Sequence, residues 1–200
     1  FTIPVDQVIK YLEKMFNTGM QSSNMNISAE FVRSYIPTVT EIPANQTLIE
    51  SQYDKIYGDW ATEEDELLVV VDRYNRISDI TLALLGFRTI KNFDLTTFKV
   101  EFGGEEQISF ADVVGKEFYY VKNDNRFVQN ADGTFYDRTF LTGTTLGLDS
   151  PDLTLKVKGI VRLKEDVSEG VLDTGIAYTS KFVERVLTDN SGTSVIGEAI

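Results

Sequence analysis

Val171-Leu172-Asp173-Thr174-Gly175-Ile176-Ala177 is the stretch of this 200-residue chain whose residue types and order come nearest to catalysis. Asp-Thr-Gly behind an apolar pair is the loop of acid proteolysis, in which two carboxylates share one proton so that one acts as base and the other as acid. The chain carries one copy, so the second Asp would have to come from the same loop of a symmetric second copy. The competing reading is a turn that caps a strand-to-helix connection, because Asp, Thr and Gly are all turn formers. A second group of carboxylates, Asp59, Glu63, Glu64, Asp65 and Glu66, follows one another with no base between them. A cation site would need carboxylates converging from a loop with the Gly and the alternating ligands of a calcium loop, and this run has neither. A solvated loop ahead of a strand is the expectation. Asn130-Ala131-Asp132-Gly133 lacks a distal Glu and reads as a hairpin turn rather than a metal loop.

Composition excludes other chemistry. With no His and no Cys in the chain, there can be no Ser-His-Asp or Cys-His centre, no His- or Cys-ligated zinc, no iron–sulfur cluster and no disulfide. No two Gly stand two apart, no Gly-Lys-Ser/Thr occurs, and no Ser-x-x-Lys is present, which removes the usual nucleotide loops and serine–lysine acyl transfer. No catalytic, cofactor-binding or metal-ligating residue is assigned, and no cofactor is expected. Nineteen Lys and Arg against 31 Asp and Glu give a formal charge of −12, which repels phosphate backbones, so nucleic acid is not expected as a partner. Hydrophobic residues at 42% and charged residues at 25% are globular values, and the length suits one domain or a main lobe with a smaller insert. No stretch is long and apolar enough to span a bilayer. The chain begins at Phe1 and runs straight into a helical pattern, which reads as a piece of a longer protein. Absence of cysteine fits an extracytoplasmic domain. Asn26-Ile27-Ser28 and Asn45-Gln46-Thr47 match the glycosylation sequon, a triplet that arises often by chance and would mean nothing were the protein bacterial.

The periodicity lays out the elements that must hold these groups. Val5, Val8, Ile9, Leu12, Met15 and Phe16 recur at helical spacing between Pro4 and Gly19, an amphipathic helix expected to face its own core. A polar loop over 21–28 follows, and Pro37 and Pro43 keep the next stretch extended. Leu48, Ile49, Tyr53 and Ile56 predict a second helix over 45–57. The aliphatic run at 67–71 predicts a strand buried on both faces, after which Ser78 caps a helix over 79–85 that Gly86 ends. From Lys91 the texture becomes alternation: Phe98, Val100 and Phe102, then Ile108 and Phe110, then Phe118 and Tyr120 predict half-buried antiparallel strands. The Asp132-Gly133 turn joins Phe127-Val128 to Phe135-Tyr136. Leu153, Leu155 and Val157 alternate through Gly159 into Ile160-Val161, and a last helix carrying Phe182, Val183, Val186 and Leu187 is capped by Thr179 or Ser180. The fold class is α+β: a mixed α/β lobe from 1–92 and 152–200, with a mainly antiparallel β lobe inserted over 93–151.

The segment Ser51-Gln52-Tyr53-Asp54, Tyr57-Gly58-Asp59-Trp60, Glu66-Leu67-Leu68-Val69-Val70-Val71-Asp72, Ile77-Ser78-Asp79 and Leu85-Gly86, in that order, resembles the extracytoplasmic domain, of the MacB-like periplasmic core type, of ABC-transporter permeases of the FtsX/MacB family in its Gram-positive branch. Val157-Lys158-Gly159-Ile160-Val161-Arg162 and Gly175-Ile176-Ala177-Tyr178-Thr179-Ser180 are similar to the family's closing strand and last helix start. The likeness covers 45–90 and 153–196, with a looser echo at 110–116. Ala61 and Leu163 stand where the family usually has Pro, and Leu172-Asp173-Thr174 replaces its glycine-rich approach.

The resemblance implies a non-catalytic fragment of a membrane protein, placed on the extracellular side of the cell membrane, with a porter-like lobe formed by the two outer parts of the chain. It implies spanning helices before Phe1 and beyond Ile200, an ABC ATPase subunit or domain in the cytoplasm, and a peptide, lipoprotein or cell-wall protein as the outer partner. The isolated chain would be a monomer. A secreted or wall-anchored binding module is the alternative, and an aspartic-type hydrolase using Asp173 is the third reading. Trp60, Tyr53 and Tyr57 lie in the most family-like stretch, where large aromatics are expected to be core rather than contact.

Overall fold

The computed structural model describes residues 39–94, 99–104, 107–137 and 151–192. The helix expected over Val5 to Phe16, the loop after it, Pro37 and the alternating position Phe98 lie outside them. The fold is α+β, a curled mixed sheet with two separate two-stranded antiparallel sheets. The large sheet runs β1 (Val39–Ile42), β10 (Gly175–Thr179), β3 (Glu66–Val71), β9 (Leu153–Leu163) and β2 (Tyr53–Gly58), and β6 (Glu117–Tyr120) also pairs with β9.

β3 is central, as its unbroken aliphatic run requires. Leu67, Val69 and Val71 point into one core and Leu68 and Val70 into the other, all nearly solvent-free. Burying each such side chain is worth about 1.5–3 kcal/mol. The larger core is covered by α2 (Asp79–Leu84), α3 (Phe110–Val113) and Phe182 of α5 (Ser180–Asn190). The smaller is covered by α1 (Gln46–Gln52), Trp60, Ala61 and Leu172. The caps read from the sequence are in place: Ser78 accepts from Thr81 N–H, Thr179 from Phe182 N–H, and Gly86 follows α2 at φ 81°.

Long β9 organises the sheet. One edge pairs in parallel with β3, while the other is shared, β6 taking residues 153–156 and β2 taking 159–163. Gly159 sits at the changeover, where a Cβ would stand 2.1 Å from the Asp59 carbonyl oxygen. Only a residue without a side chain lets the chain leaving β2 cross so closely. β6 falls within 93–151 in sequence and yet pairs into this sheet. The smaller pairs are β4 (Arg88–Asp94) with β5 (Lys99–Gly104), and β7 (Phe127–Gln129) with β8 (Phe135–Asp137), the latter just after α4 (Asn123–Arg126).

Two expectations are corrected. The helix predicted over 45–57 ends at Gln52, and Tyr53–Gly58 is strand β2. A bulge between Lys55 and Tyr57 changes the face that odd-numbered positions occupy: Tyr53 is buried in the smaller core, whereas the Tyr57 ring lies 6.5 Å from that of Phe110 on the opposite face. A bulged strand thus breaks the two-residue period that would have identified it. The strand expected through Ile108 and Phe110 is instead an irregular stretch leading into α3, because Ser109 caps the turn by accepting from Asp112 N–H and donating to its carboxylate.

Candidate functional site

The two groups of carboxylates picked out by the sequence lie at opposite ends of the sheet. β10 runs antiparallel to β3, with Gly175 opposite Val70 and Tyr178 opposite Leu67. Asp173, just before β10, therefore lies near the end of β3, and the acidic run 59–66 near its start. At about 3.3 Å per residue the strand separates them by roughly 15 Å, too far for one acid–base pair.

Asp173-Thr174-Gly175 enters strand β10 and does not cap a strand-to-helix connection. What shapes the loop is Tyr53. Its buried hydroxyl donates to Leu172 C=O at 2.9 Å and accepts from Leu172 N–H at 2.7 Å. Gln52 Oε1 accepts from Val171 N–H at 3.0 Å, and Lys164 Nζ donates to Glu50 C=O at 2.6 Å. A Cβ on Gly170 would stand 2.0 Å from the Tyr53 hydroxyl, so the chain wraps the ring at a glycine. Burial pushes the Tyr53 hydroxyl above a phenol's ordinary value, the Leu172 N–H bond works against this, and the charge of Asp173 adds to it. Asp173 itself is exposed. The arrangement holds a backbone loop in place; it does not set a carboxylate in a cleft.

At the other end the acidic run is not a bare solvated loop, because its bases arrive from elsewhere in the chain. Lys55 pairs with Asp59 at 2.7 Å, Lys158 with Glu66 at 2.7 Å, Lys181 with Glu63 at 2.9 Å and Arg185 with Glu64 at 3.0 Å. Glu66 is the pivot, since its second oxygen accepts from Thr62 and Glu63 N–H and folds the loop back on the strand. Burial alone would raise the Glu66 pKa, but Lys158 and the two amides outweigh it and hold the carboxyl below its ordinary range. Lys158 is correspondingly raised by Glu66, and Arg185 by Asp189 first and Glu64 second. These carboxylates are spent on protein cations, and among the described residues no group of three or more is placed to hold a metal ion.

The remaining motifs resolve into local structure. Asp132 Oδ1 accepts from the N–H and hydroxyl of Thr134, and Gly133 takes φ 87°, which makes the loop the hairpin turn its sequence indicates. Asn45, the sequon asparagine, caps α1 by accepting from Leu48 N–H. Of the three family-segment aromatics, Tyr53 is buried, Trp60 partly buried and Tyr57 44% exposed, so Tyr57 departs from the core expectation. A shallow cavity of about 270 Å³ is lined by Leu85, Gly115, Lys116, Glu117, Phe118 and Tyr119. That is under the ~300–1,000 Å³ usual for ligand pockets.

One exposed feature escaped the sequence reading. Tyr74 is 69% exposed on the turn after β3. Asp72 Oδ1 accepts from Tyr74 and Arg76 N–H, the Arg76 guanidinium covers the Tyr74 ring at 4.7 Å, and Arg162 donates to Asn75 Oδ1. Asn75, at φ 59°, takes the left-handed conformation that closes the turn. The turn over Asp72 to Asn75 is legible from those residue types, and the exposed aromatic at its tip is the part that the sequence reading did not single out.

Compared with protein-family models, curated proteins and solved structures, the chain matches none. No helix among the described residues is long and apolar enough to cross a membrane.

Proposed function

We propose that this chain is a non-catalytic extracytoplasmic domain of an ABC-transporter permease of the FtsX/MacB type. It would couple cytoplasmic ATP hydrolysis to export or to an extracytoplasmic partner. The observation that carries this reading is the pairing of the two stretches that resemble the family. β2 and β3 come from the first and pair with β9 from the second, and β3 also pairs with β10. Two chance likenesses far apart in sequence have no reason to fall on neighbouring strands.

The domain's work is then mechanical and recognitional. An ABC ATPase on the same chain or on a partner subunit supplies energy, spanning helices outside this stretch carry the motion, and a peptide, lipoprotein or cell-wall protein is the class of outer partner. Coupling of this kind needs two arrangements that differ in partner affinity. Asp173 is single and exposed, follows a loop fixed by the backbone bonds of Leu172, and lies about a strand's length from the acidic run 59–66, which speaks against the hydrolase reading.

The reading frame around this stretch tests the proposal. Apolar segments of ~20 residues immediately before Phe1 and again downstream are expected. A signal peptide with one anchor or none would overturn the transporter reading and favour a secreted or wall-anchored binding module. Hydrolysis of a peptide or glycan library that disappears in Asp173→Ala would overturn both.

A further inference from the structure

We infer that α5 is an electrostatic strap, which lifts from the sheet as a unit when its ion pairs to the acidic loop are screened. Of its eleven residues only Asn190 is buried, and Leu187 is 65% exposed. Its apolar grip on the sheet is centred on Phe182, which meets Tyr120 and Tyr178 edge-on at 5.5 and 5.9 Å. The rest is polar and lies at the two ends. At the first, Thr179 Oγ1 donates to Glu63 C=O, Lys181 pairs with Glu63 and Arg185 with Glu64. At the second, Asn190 Nδ2 donates to the Tyr120 hydroxyl at 2.7 Å while Asn190 Oδ1 accepts from Asn123 N–H at 2.8 Å.

The charges give the strap its sensitivity. Lys55 and Lys158 serve Asp59 and Glu66, at the edges of the acidic run. Glu63 and Glu64 in its middle depend on the two cations of α5, so lifting the helix leaves adjacent like charges uncompensated. Both pairs are substantially solvent-exposed, 53% and 59% for Lys181 and Glu63, 35% and 42% for Arg185 and Glu64. Salt reaches such pairs, because the screening length falls from about 10 Å at 0.1 M to about 3 Å at 1 M. β3, held by buried aliphatic side chains, has no such dependence. Elements with few buried apolar contacts open well below the global unfolding free energy.

The inference rests on the transporter reading only for its use, as a joint between the sheet and whatever follows α5. The opening is a property of the chain alone, so its failure would leave that reading standing. The test is amide hydrogen exchange on this chain at 0.1 M and 1 M salt. The α5 amides at 184–190 are expected to exchange about tenfold faster at high salt, the loss of two exposed pairs, while those of Leu68 to Val71 keep their rate. Glu63→Lys should move the α5 rate toward its high-salt value at low salt, and adding Lys181→Glu should restore slow exchange; Arg185 is left in place because it also pairs with Asp189 within the helix. Equal acceleration of both regions, salt-independent α5 exchange, or failure of the Glu63–Lys181 reversal to restore protection would overturn it.

Discussion

The two ends of the large sheet are closed by different physics. At the end of β3 the loop 170–174 is tied by the buried Tyr53 hydroxyl, which makes both of its hydrogen bonds to one residue, Leu172. At the start of β3 the loop 59–66 is tied by ion pairs to Lys55, Lys158, Lys181 and Arg185, all exposed except on the Glu66 side of the Lys158 pair. The first closure is short-ranged, dry and insensitive to salt. The second is built from contacts each worth only about 0–1 kcal/mol, and it holds the helix that leaves the sheet. The carboxylate at the fixed end, Asp173, thus takes no part in its closure, while those at the other end, with their bases, make theirs.

The largest effect should come from emptying the fixed end. Tyr53→Ala removes a buried ring and both bonds to Leu172, and an expected loss of about 3–5 kcal/mol would be read from urea unfolding. Tyr53→Phe keeps the ring but leaves a buried amide and carbonyl unpaired. It should cost about 1–3 kcal/mol, equally at 0.1 M and 1 M salt, and a salt-dependent cost would erase the difference between the ends.

Acidification should act below that core truncation and above any single surface change. Glu66 is held below its ordinary pKa despite its burial, by Lys158 and the Thr62 and Glu63 amides. Asp72 is also held low against its burial, by the Arg76 and Tyr74 amides and the Arg76 side chain. So is Asp152, by Lys122 N–H and Asn125. A carboxyl with a depressed folded pKa contributes stability that is complete above its unfolded pKa of about 4 and is lost as pH falls through the folded one. Thermal stability should therefore hold from pH 7 to 5 and fall below about 4. At the other extreme Tyr53 and Tyr120, both raised chiefly by burial, should contribute a loss of stability as pH rises beyond about 10.

Smaller still, Lys181→Ala should cost about 0.2–1 kcal/mol at 0.1 M salt and less at 1 M. Asp173→Ala should change stability by no more than about 0.5 kcal/mol, as an exposed carboxylate outside any network does. A loss of several kcal/mol there would mean that Asp173 belongs to a buried arrangement after all.

What was legible in the sequence is what neighbours in the chain decide. β3 by its unbroken aliphatic run, α2 by its Ser78 cap, the Asp132-Gly133 hairpin by its turn residues and α5 by its Thr179 cap are each signalled by residues close together in the chain. β2 was not legible, because its bulge produces a spacing that imitates a helix. The two closures were not legible either. Tyr53 and Leu172 lie 119 residues apart, and Lys158, Lys181 and Arg185 reach the acidic loop from 92, 118 and 121 residues away. Local pattern shows that a run of acids exists; only the topology shows which bases are brought to it.

The proposed placement of this domain outside the cell membrane is tested most directly with one cysteine. These 200 residues have none, and Tyr74 is 69% exposed on a hydrogen-bonded turn, so Tyr74→Cys, made in the full-length protein with any cysteine outside this stretch replaced, offers a single reactive thiol. Intact cells treated with a membrane-impermeant maleimide should label it fully. Labelling that occurs only after the cells are opened would place the domain inside and contradict the transporter reading.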